Sequence, residues 1–527
     1  VIIGGAASSG FPRFFDAILN EVNLLSARRA LAASVALVAA LAGGLTALHY
    51  HYLGLTLSHY DSRGHLIVAR RIFDNITPGW QQIGAVWLPL PHLLNALPVQ
   101  IDANYQTGAS AVILSVLSFA AATGAIAWIV QSITASAPAG VAAAAVFGLN
   151  PNVLYLQATP MTEPLLFALT TIGVAMLMEW SKGQAGQLRQ ARVAGGTLAL
   201  ACLTRYEAWI VTAVALTAAV WAAYRRGRKP LDALRAVAAV AVYPAVAIAG
   251  FCIFSRVVIG QWFVPGDFFV PENKALGLPL LAAAEIGWGT QMLSGGPLFW
   301  VGVAGVALLA AIGLFDRDRP EAMIALSLIA TAALPWSAFI KGHPFRIRYM
   351  VPLIVIEAIG AGTAAGVWRR TRAIGAIAVV GVAAFFLRPV DASAPMVVEA
   401  QWDRPNVSVR ATVTACIGAP RAGDTIMASM GSLGHYMQET SRAGFRLRDF
   451  LHEGNGDIWL AAIQDPRPFA EWIVIEEKAQ GGDALAHLAR EHPHFLDGYS
   501  RVCDGAGLAL YRRGRSADQN LKLSVNR

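Results

Sequence analysis

The chain has 527 residues, 56% of them hydrophobic and only 14% charged, with a mean hydropathy of +0.51. Soluble domains carry about 25% charged residues, so this composition excludes an ordinary soluble protein and points to an integral membrane protein. A net charge of +8 would suggest a nucleic-acid partner in a soluble chain. Here the positive residues sit in short clusters between apolar runs, a pattern that membrane orientation and anionic headgroups explain better.

The apolar runs recur well past the start, which a cleaved signal peptide does not explain. The opening Val in place of Met points to a missing or processed N-terminus. Runs long enough to cross a bilayer as helices fall near 30–52, 108–132, 136–156, 160–180, 232–256, 297–315, 321–340, 350–368 and 372–388. Two shorter pieces, 193–203 and 207–224, flank the polar "TRYE" of Thr204 to Glu207. Eleven helical residues rise only about 16 Å. The first piece therefore crosses only if "TRYE" lies inside the membrane, buried in protein.

These segments define a polytopic α-helical membrane protein with about eleven transmembrane helices. Threaded in order, they place Arg28-Arg29, Lys182 to Arg192, Arg225 to Lys229, Arg317/Arg319 and Arg369 to Arg372 on one side, the cytoplasmic one. The expected divisions are a cytoplasmic N-terminal segment 1–29, a transmembrane domain 30–390 with a first extracytoplasmic loop 53–107, and a small extracytoplasmic α/β domain 391–527. In the last, "DTIMASM" and "WIVIEE" read as strands, "GGDALAHLAREH" as a helix and "YSRVCDGAGLALYRR" as a terminal strand pair. Cys202 and Cys252 lie in apolar segments and read as inert core residues. Cys416 and Cys503 lie in the polar part and are free to pair if it is exported. No Cys/His spacing resembles a zinc site.

Four polar stretches interrupt this apolar background. In the first loop, "HYDSRGHLIVARRIFDN" suits a helix along the membrane surface, with Asp61 and His65 on one face and Arg70 and Asp74 as a second such pair. An ordinary interfacial helix with a solvated charged face would look the same. The "TPGWQQIGAVWLPLPHLLNALPV" that follows is broken by four prolines and cannot be one regular helix. In "NPNVLYLQATPMTEPLLF", Glu163 stands at the mouth of a span. It reads either as a functional or paired acid at membrane depth or as an N-terminal charge favoured by the helix dipole. In "CLTRYEAW", Arg205 and Glu207 read as an internal salt bridge or as deeper, functional groups.

"KGHPFRIRYM" places Lys341, His343, Arg346 and Arg348 outside, against the usual distribution of positive charge, and calls for an anionic partner. An extracytoplasmic acid near the membrane together with a phosphate clamp fits a transferase whose donor is a lipid phosphate. The phosphate is already a good leaving group and needs cations to stabilise its developing charge. The acceptor hydroxyl needs a base. Asp61 can supply the base, and Arg346 and Arg348 the clamp.

With these motifs in this order, the sequence resembles the GT-C glycosyltransferase superfamily, the polyprenyl-phosphate-sugar-dependent enzymes that include protein O-mannosyltransferases and lipid A aminoarabinose transferases. The resemblance covers roughly residues 30–390. "HYDSRGHLIVARRIFD" looks like the acidic motif of the first extracytoplasmic loop, which implies Asp61 as catalytic base. "NPNVLYLQATPMTEPLLF" matches the Asn-Pro followed by a helix-mouth Glu, at Asn150, Pro151 and Glu163. "HPFRIRYMVPL" looks like the late Arg-Tyr-x-x-Pro stretch, with Arg346, Arg348 and Tyr349.

Many members carry an Asp-Glu pair where this chain has Asp61-Ser62, so a second acid would come from Glu163 or Asp74. No later Asp-x-Asp or Glu-x-Asp motif stands out, and transfer without a metal or other cofactor is expected. The resemblance implies inversion by single displacement. It also implies a mobile loop at 257–296, with Asp267, Glu272 and Lys274 as polar members.

The expected site thus has Asp61 and Glu163 as its acids. His65, Arg205, His343, Arg346, Arg348 and Tyr349 are its substrate-binding groups. The expected partners are a polyprenyl-phosphate sugar donor, an acceptor glycan, lipid or protein, and membrane lipid, with no nucleic acid. The expected place is the bacterial cytoplasmic membrane. Two other readings remain open: a transporter or flippase of a polyprenyl-linked glycan, although no inverted repeat stands out, and a non-catalytic subunit of an envelope complex, which the acid missing at Ser62 allows.

Overall fold

A computed structural model describes residues 11–183, 188–262 and 271–514, with side chains from residue 26 onward, Gln480 excepted. Eight helices are long and apolar enough to cross a membrane by length and composition: Ser26–Tyr52, Ala109–Thr134, Glu163–Lys182, Glu207–Arg225, Pro230–Val258, Gly296–Phe315, Ala322–Ile340 and Ile347–Gly366. Three of the expected spans are shorter. Ala137–Gly148 stops because Asn150 caps a new short helix, Pro151–Leu156, its side chain accepting the Asn152 N–H at 3.0 Å. Leu188–Cys202 ends at "TRYE", whose Thr204 and Glu207 are buried in protein. Arg372–Phe386 has 15 residues.

Small residues draw the spans together. Gly305 faces Gly360 so closely that a Cβ on Gly305 would collide with the Gly360 carbonyl oxygen. The Gly296–Phe315 and Leu353–Gly366 helices therefore touch backbone to backbone, as glycines permit in membrane bundles.

The segment 257–296, expected to be a loop throughout, contains a 16-residue helix, Pro279–Ser294. Proline at its start has no N–H to leave unpaired there, and Gly289 lies against Met350 and Phe345. The described stretch before it is tied to the arginine loop. The Glu272 and Asn273 N–H groups donate to the Gly342 carbonyl at 3.0 and 3.1 Å, and the Glu272 and Lys274 side chains are exposed. Asp267 lies outside the described residues.

The C-terminal part carries a five-stranded sheet in the order β2-β1-β3-β5-β4, from β1 (Ile426–Ala428), β2 (Phe450–Leu451), β3 (Trp472–Glu476), β4 (Tyr499–Gly505) and β5 (Leu508–Arg513). β1 runs parallel to β2 and β3, whereas β3 pairs antiparallel with β5 and β5 with β4. The expected strands, terminal pair and helix (Ala484–Glu491) are all present. The β4–β5 hairpin turns through Ala506 and Gly507, both at positive φ (52° and 87°), the mirror-image turn whose twist matches the flanking strands. Cys416 and Cys503 form a disulfide that ties the Arg404–Ile417 helix to β4.

The first loop does not lie open on a membrane surface. Leu57, Leu66, Ile67, Val99 and Tyr105 share one hydrophobic core with Val413, Ile426, Leu433, Tyr436 and Val474. The Tyr60–Arg70 helix packs against the Met430–Thr440 helix of the C-terminal part, and its Arg63, His65 and Arg70 are buried. Its charged face is neutralised by protein and not by solvent. "TPGWQQIGAVWLPLPHLLNALPV" breaks, as its prolines require, into short helices at Trp80–Ile83, Leu90–Asn95 and Pro98–Gln100.

Candidate functional site

Asp61 opens the Tyr60–Arg70 helix. His59 precedes it as the cap, its Nδ1 accepting the Asp61 N–H at 3.1 Å. The free carboxylate is thereby directed away from its own helix backbone and into an ion pair with Arg348 from the late "FRIRY" stretch. Both side chains are largely buried, at 16% and 13% exposure. The Arg348 guanidinium lies 5.2 Å from the centre of the Tyr349 ring, and the Tyr349 hydroxyl lies 3.4 Å from His343 Nε2. Glu399 accepts the Ile347 N–H at 2.6 Å and anchors the arginine loop. Arg346 is exposed beside it.

Two opposing effects act on Asp61. Burial raises the pKa of its carboxyl group, while the Arg348 charge and hydrogen bond lower it, and the net position is below the usual carboxylate range. His59 is pushed down to about 3 by burial and by Arg348. The carboxylate is therefore ionised and the imidazoles beside it are neutral.

A second ion cluster adjoins the first. Arg205 donates from Nη1 to Glu163 at 3.0 Å and to the Thr162 hydroxyl at 3.0 Å, and from Nη2 to Glu207 at 2.7 Å. The charge of Arg348 reaches both Glu163 and Arg205, so the two clusters form one field. Glu163 stands in the first turn of its helix, where the dipole favours an acid, and it is also paired with Arg205. Arg205 is the counterion of two buried carboxylates. Its replacement by Met is expected to destabilise the protein by about 3–5 kcal/mol, because two buried negative charges lose their partner. Thermal unfolding in detergent reads this as a lowered midpoint, and an unchanged midpoint would contradict the pairing.

His65 lies one turn from Asp61 and has a partner that the sequence did not reveal. Its Nδ1 is 3.1 Å from His92 Nε2, and Trp87 packs on its ring at 4.2 Å. His92 Nδ1 donates to the Leu88 carbonyl at 3.0 Å, which leaves His92 Nε2 as acceptor and His65 Nδ1 as donor. His65 Nε2 therefore offers a lone pair. Burial, then His92, keeps His65 neutral, and burial holds His92 at about 3.

The fold thus brings Asp61, His65, Glu163, Arg205, Arg348 and Tyr349 into one electrostatic neighbourhood, with His343 and Arg346 at its edge. Asp74 does not join it. Arg70 at 2.9 Å and Arg448 at 2.8 Å bind its carboxylate on the side facing the sheet. Among the described residues no group of three or more His, Cys, Asp and Glu side chains could hold a metal ion. His92 and Glu399 escaped sequence reasoning because each acts through a partner far away in the chain, and neither sits in a recognisable motif.

In sequence, no protein-family model and no curated protein matches the chain. In structure, the chain resembles ArnT from Cupriavidus metallidurans bound to undecaprenyl phosphate, with a TM-score of 0.57 and 12% identity over 89% of this chain and 97% of that one. It likewise resembles the apo form of the same protein, with a TM-score of 0.56 and 13% identity over 89% and 96%. The Archaeoglobus fulgidus oligosaccharyltransferase tethered with an acceptor peptide superposes at a TM-score of 0.48, with 14% identity over 92% of this chain and 74% of that one. The chain shares the fold of that ArnT protein.

Proposed function

We propose that the protein transfers a sugar from a polyprenyl-phosphate donor to an acceptor hydroxyl at the extracytoplasmic face of a bacterial cytoplasmic membrane, by inverting single displacement and without a metal. The observation that carries this reading is the largely buried Asp61–Arg348 ion pair, which sets a carboxylate suited to act as base beside a cation suited to hold phosphate. The likeness to a protein crystallised with undecaprenyl phosphate supports the donor class.

The acceptor oxygen attacks the anomeric carbon, and its proton passes to the Asp61 carboxylate. The bond from the anomeric carbon to the phosphate oxygen breaks, and its electron pair stays on the phosphate. Arg348 and Arg346 stabilise that charge, since preorganised cations are most effective in a partly dry site. Glu163 fixes Arg205 at the edge of the same field. His65, with its free Nε2 lone pair, accepts a hydrogen bond from a substrate hydroxyl.

The resting ion pair has a consequence for order. While Arg348 holds Asp61, the carboxylate is a poor base, because its pKa is depressed. A donor phosphate competes for the same guanidinium and releases the carboxylate, so the base becomes active when the donor is in place.

The test is release of polyprenyl phosphate by the purified protein in detergent, across a panel of polyprenyl-phosphate sugars and acceptor alcohols. Turnover with at least one donor is expected. A protein that moves the donor across vesicle membranes but never cleaves it would be a flippase instead. One that binds the donor but neither cleaves nor moves it would be a non-catalytic subunit.

A further inference from the structure

Two residues next to Asp61 on its helix, Tyr60 and Arg63, bond to the C-terminal part. The Tyr60 hydroxyl donates to the Gly431 and Ser432 carbonyls at 3.2 and 3.1 Å, and its ring packs on His435 at 4.6 Å. All three partners belong to the Met430–Thr440 helix of the C-terminal part.

Arg63, one turn on, donates from Nε to the Leu57 carbonyl at 2.8 Å and from Nη1 to Glu439, with Asp403 at 3.7 Å. Arg410 completes the group. It binds both Asp403 oxygens at 2.9 and 2.7 Å and both Glu439 oxygens at 2.8 and 2.7 Å. Two guanidinium groups and two carboxylates thus form a closed, charge-neutral square. Arg63, Asp403 and Arg410 are at most 5% exposed.

The segment that follows this helix is tied to the C-terminal part as well. Asp74 accepts from Arg448 at 2.8 Å, Asn75 contacts His452 at 3.1 Å, and Asn455 donates to Asn75 at 2.6 Å.

We infer that the C-terminal part is a working component of the site: through Arg63, Glu439, Asp403 and Arg410 it sets the position of the Asp61 carboxylate. The inference rests on the reading of Asp61 as base. The bundle supplies Arg348 on one side of the helix, and the C-terminal part supplies the square on the other. Neither side alone fixes the helix in rotation, because the Arg348 contact is a single pair and must let go when phosphate binds. The square does not contact the phosphate clamp and stays closed throughout. Arg63, Glu439, Asp403 and Arg410 are positioning residues in this scheme, and a planar guanidinium suits the task because it binds two carboxylates in fixed geometry.

The chemistry is sensitive to such positioning, since a displacement of about 1 Å at a reacting group can cost roughly a hundredfold in rate. A square with only a structural role would lower the unfolding temperature when opened and leave turnover in the surviving folded protein unchanged.

The test uses the full chain in lipid nanodiscs with three variants, Glu439→Gln, Arg63→Lys and Asp61→Asn. Rates are read well below each unfolding midpoint, and hydrogen exchange is followed over residues 60–70. For Glu439→Gln, kcat is expected to fall tenfold or more while KM for the donor stays within about twofold, as for a misplaced reacting group. Exchange in the Tyr60–Arg70 helix is expected to speed up. Arg63→Lys, which keeps one charge, is expected to fall between Glu439→Gln and the unaltered protein. Unchanged kcat in both, whatever the unfolding temperature, overturns the inference provided that Asp61→Asn is inactive. Full activity in Asp61→Asn removes the reading of the base instead. If Glu439→Gln fails to fold, Arg63→Lys alone decides: kcat equal to that of the unaltered protein, with faster exchange in the helix, overturns the inference.

Discussion

Asp61→Asn is expected to lower sugar transfer by about 10²–10⁴-fold, the range that a positioned general base contributes. The amide has nearly the shape of the carboxylate but competes less well for Arg348, so donor binding should be kept or tightened. The defect should therefore fall on kcat, measured as polyprenyl phosphate released at saturating donor. A variant with correct folding and full kcat would exclude Asp61 as the base. The substitution also removes the buried negative charge that now balances Arg348, so the unfolding midpoint is to be measured alongside the rate.

Arg348→Gln is expected to cost about 10²–10³-fold in kcat, comparable to removing one donor from an oxyanion site. It carries a second signature in pH. In the folded protein the Asp61 carboxyl is held below its usual value, and the unfolded value is near 3.9. The stabilisation from this group is therefore fully present above about pH 4 and is lost as pH falls through the depressed folded value. In Arg348→Gln the burial remains and the cation is gone, so the carboxyl titrates at higher pH. The acid limb of the rate profile and of thermal stability should both move upward in pH. A variant whose acid limb stays in place would mean that Arg348 does not set the state of Asp61.

The two predictions separate the partners of one contact. Asp61→Asn should keep donor affinity or raise it, because the charged competitor for Arg348 is gone. Arg348→Gln should weaken it, because the guanidinium is also proposed to grip the phosphate. Measuring polyprenyl phosphate binding to both variants distinguishes a base from a clamp without any knowledge of the acceptor.

Much of this was legible in the chain itself. Long apolar runs announce spans because a bilayer leaves backbone groups no partner except their own helix. Every expected span falls on helix, although the Asn150-Pro151 break and the end at Cys202 leave some of them short. The acidic start of the first loop and the late arginines also stood out, because charge next to apolar sequence is costly and therefore conspicuous. The helix Pro279–Ser294 did not stand out. Its residues are mostly small and apolar without a polar flank, and only its packing against Met350 and Phe345 distinguishes it from a loop.

By itself, the sequence determined the membrane class, the order of the spans, the strands of the C-terminal sheet and the individual charged residues at the site, since these depend on local composition and periodicity. Only the tertiary structure decided which charges meet. It pairs Asp61 with Arg348, places His92 behind His65, gives Arg205 to two carboxylates and withdraws Asp74 toward the sheet. It also turned an apparently solvated surface helix into one buried beneath the C-terminal part. The physical reason is that an ion pair is set by where two backbones bring their side chains, and segments far apart in the chain carry no local trace of that meeting.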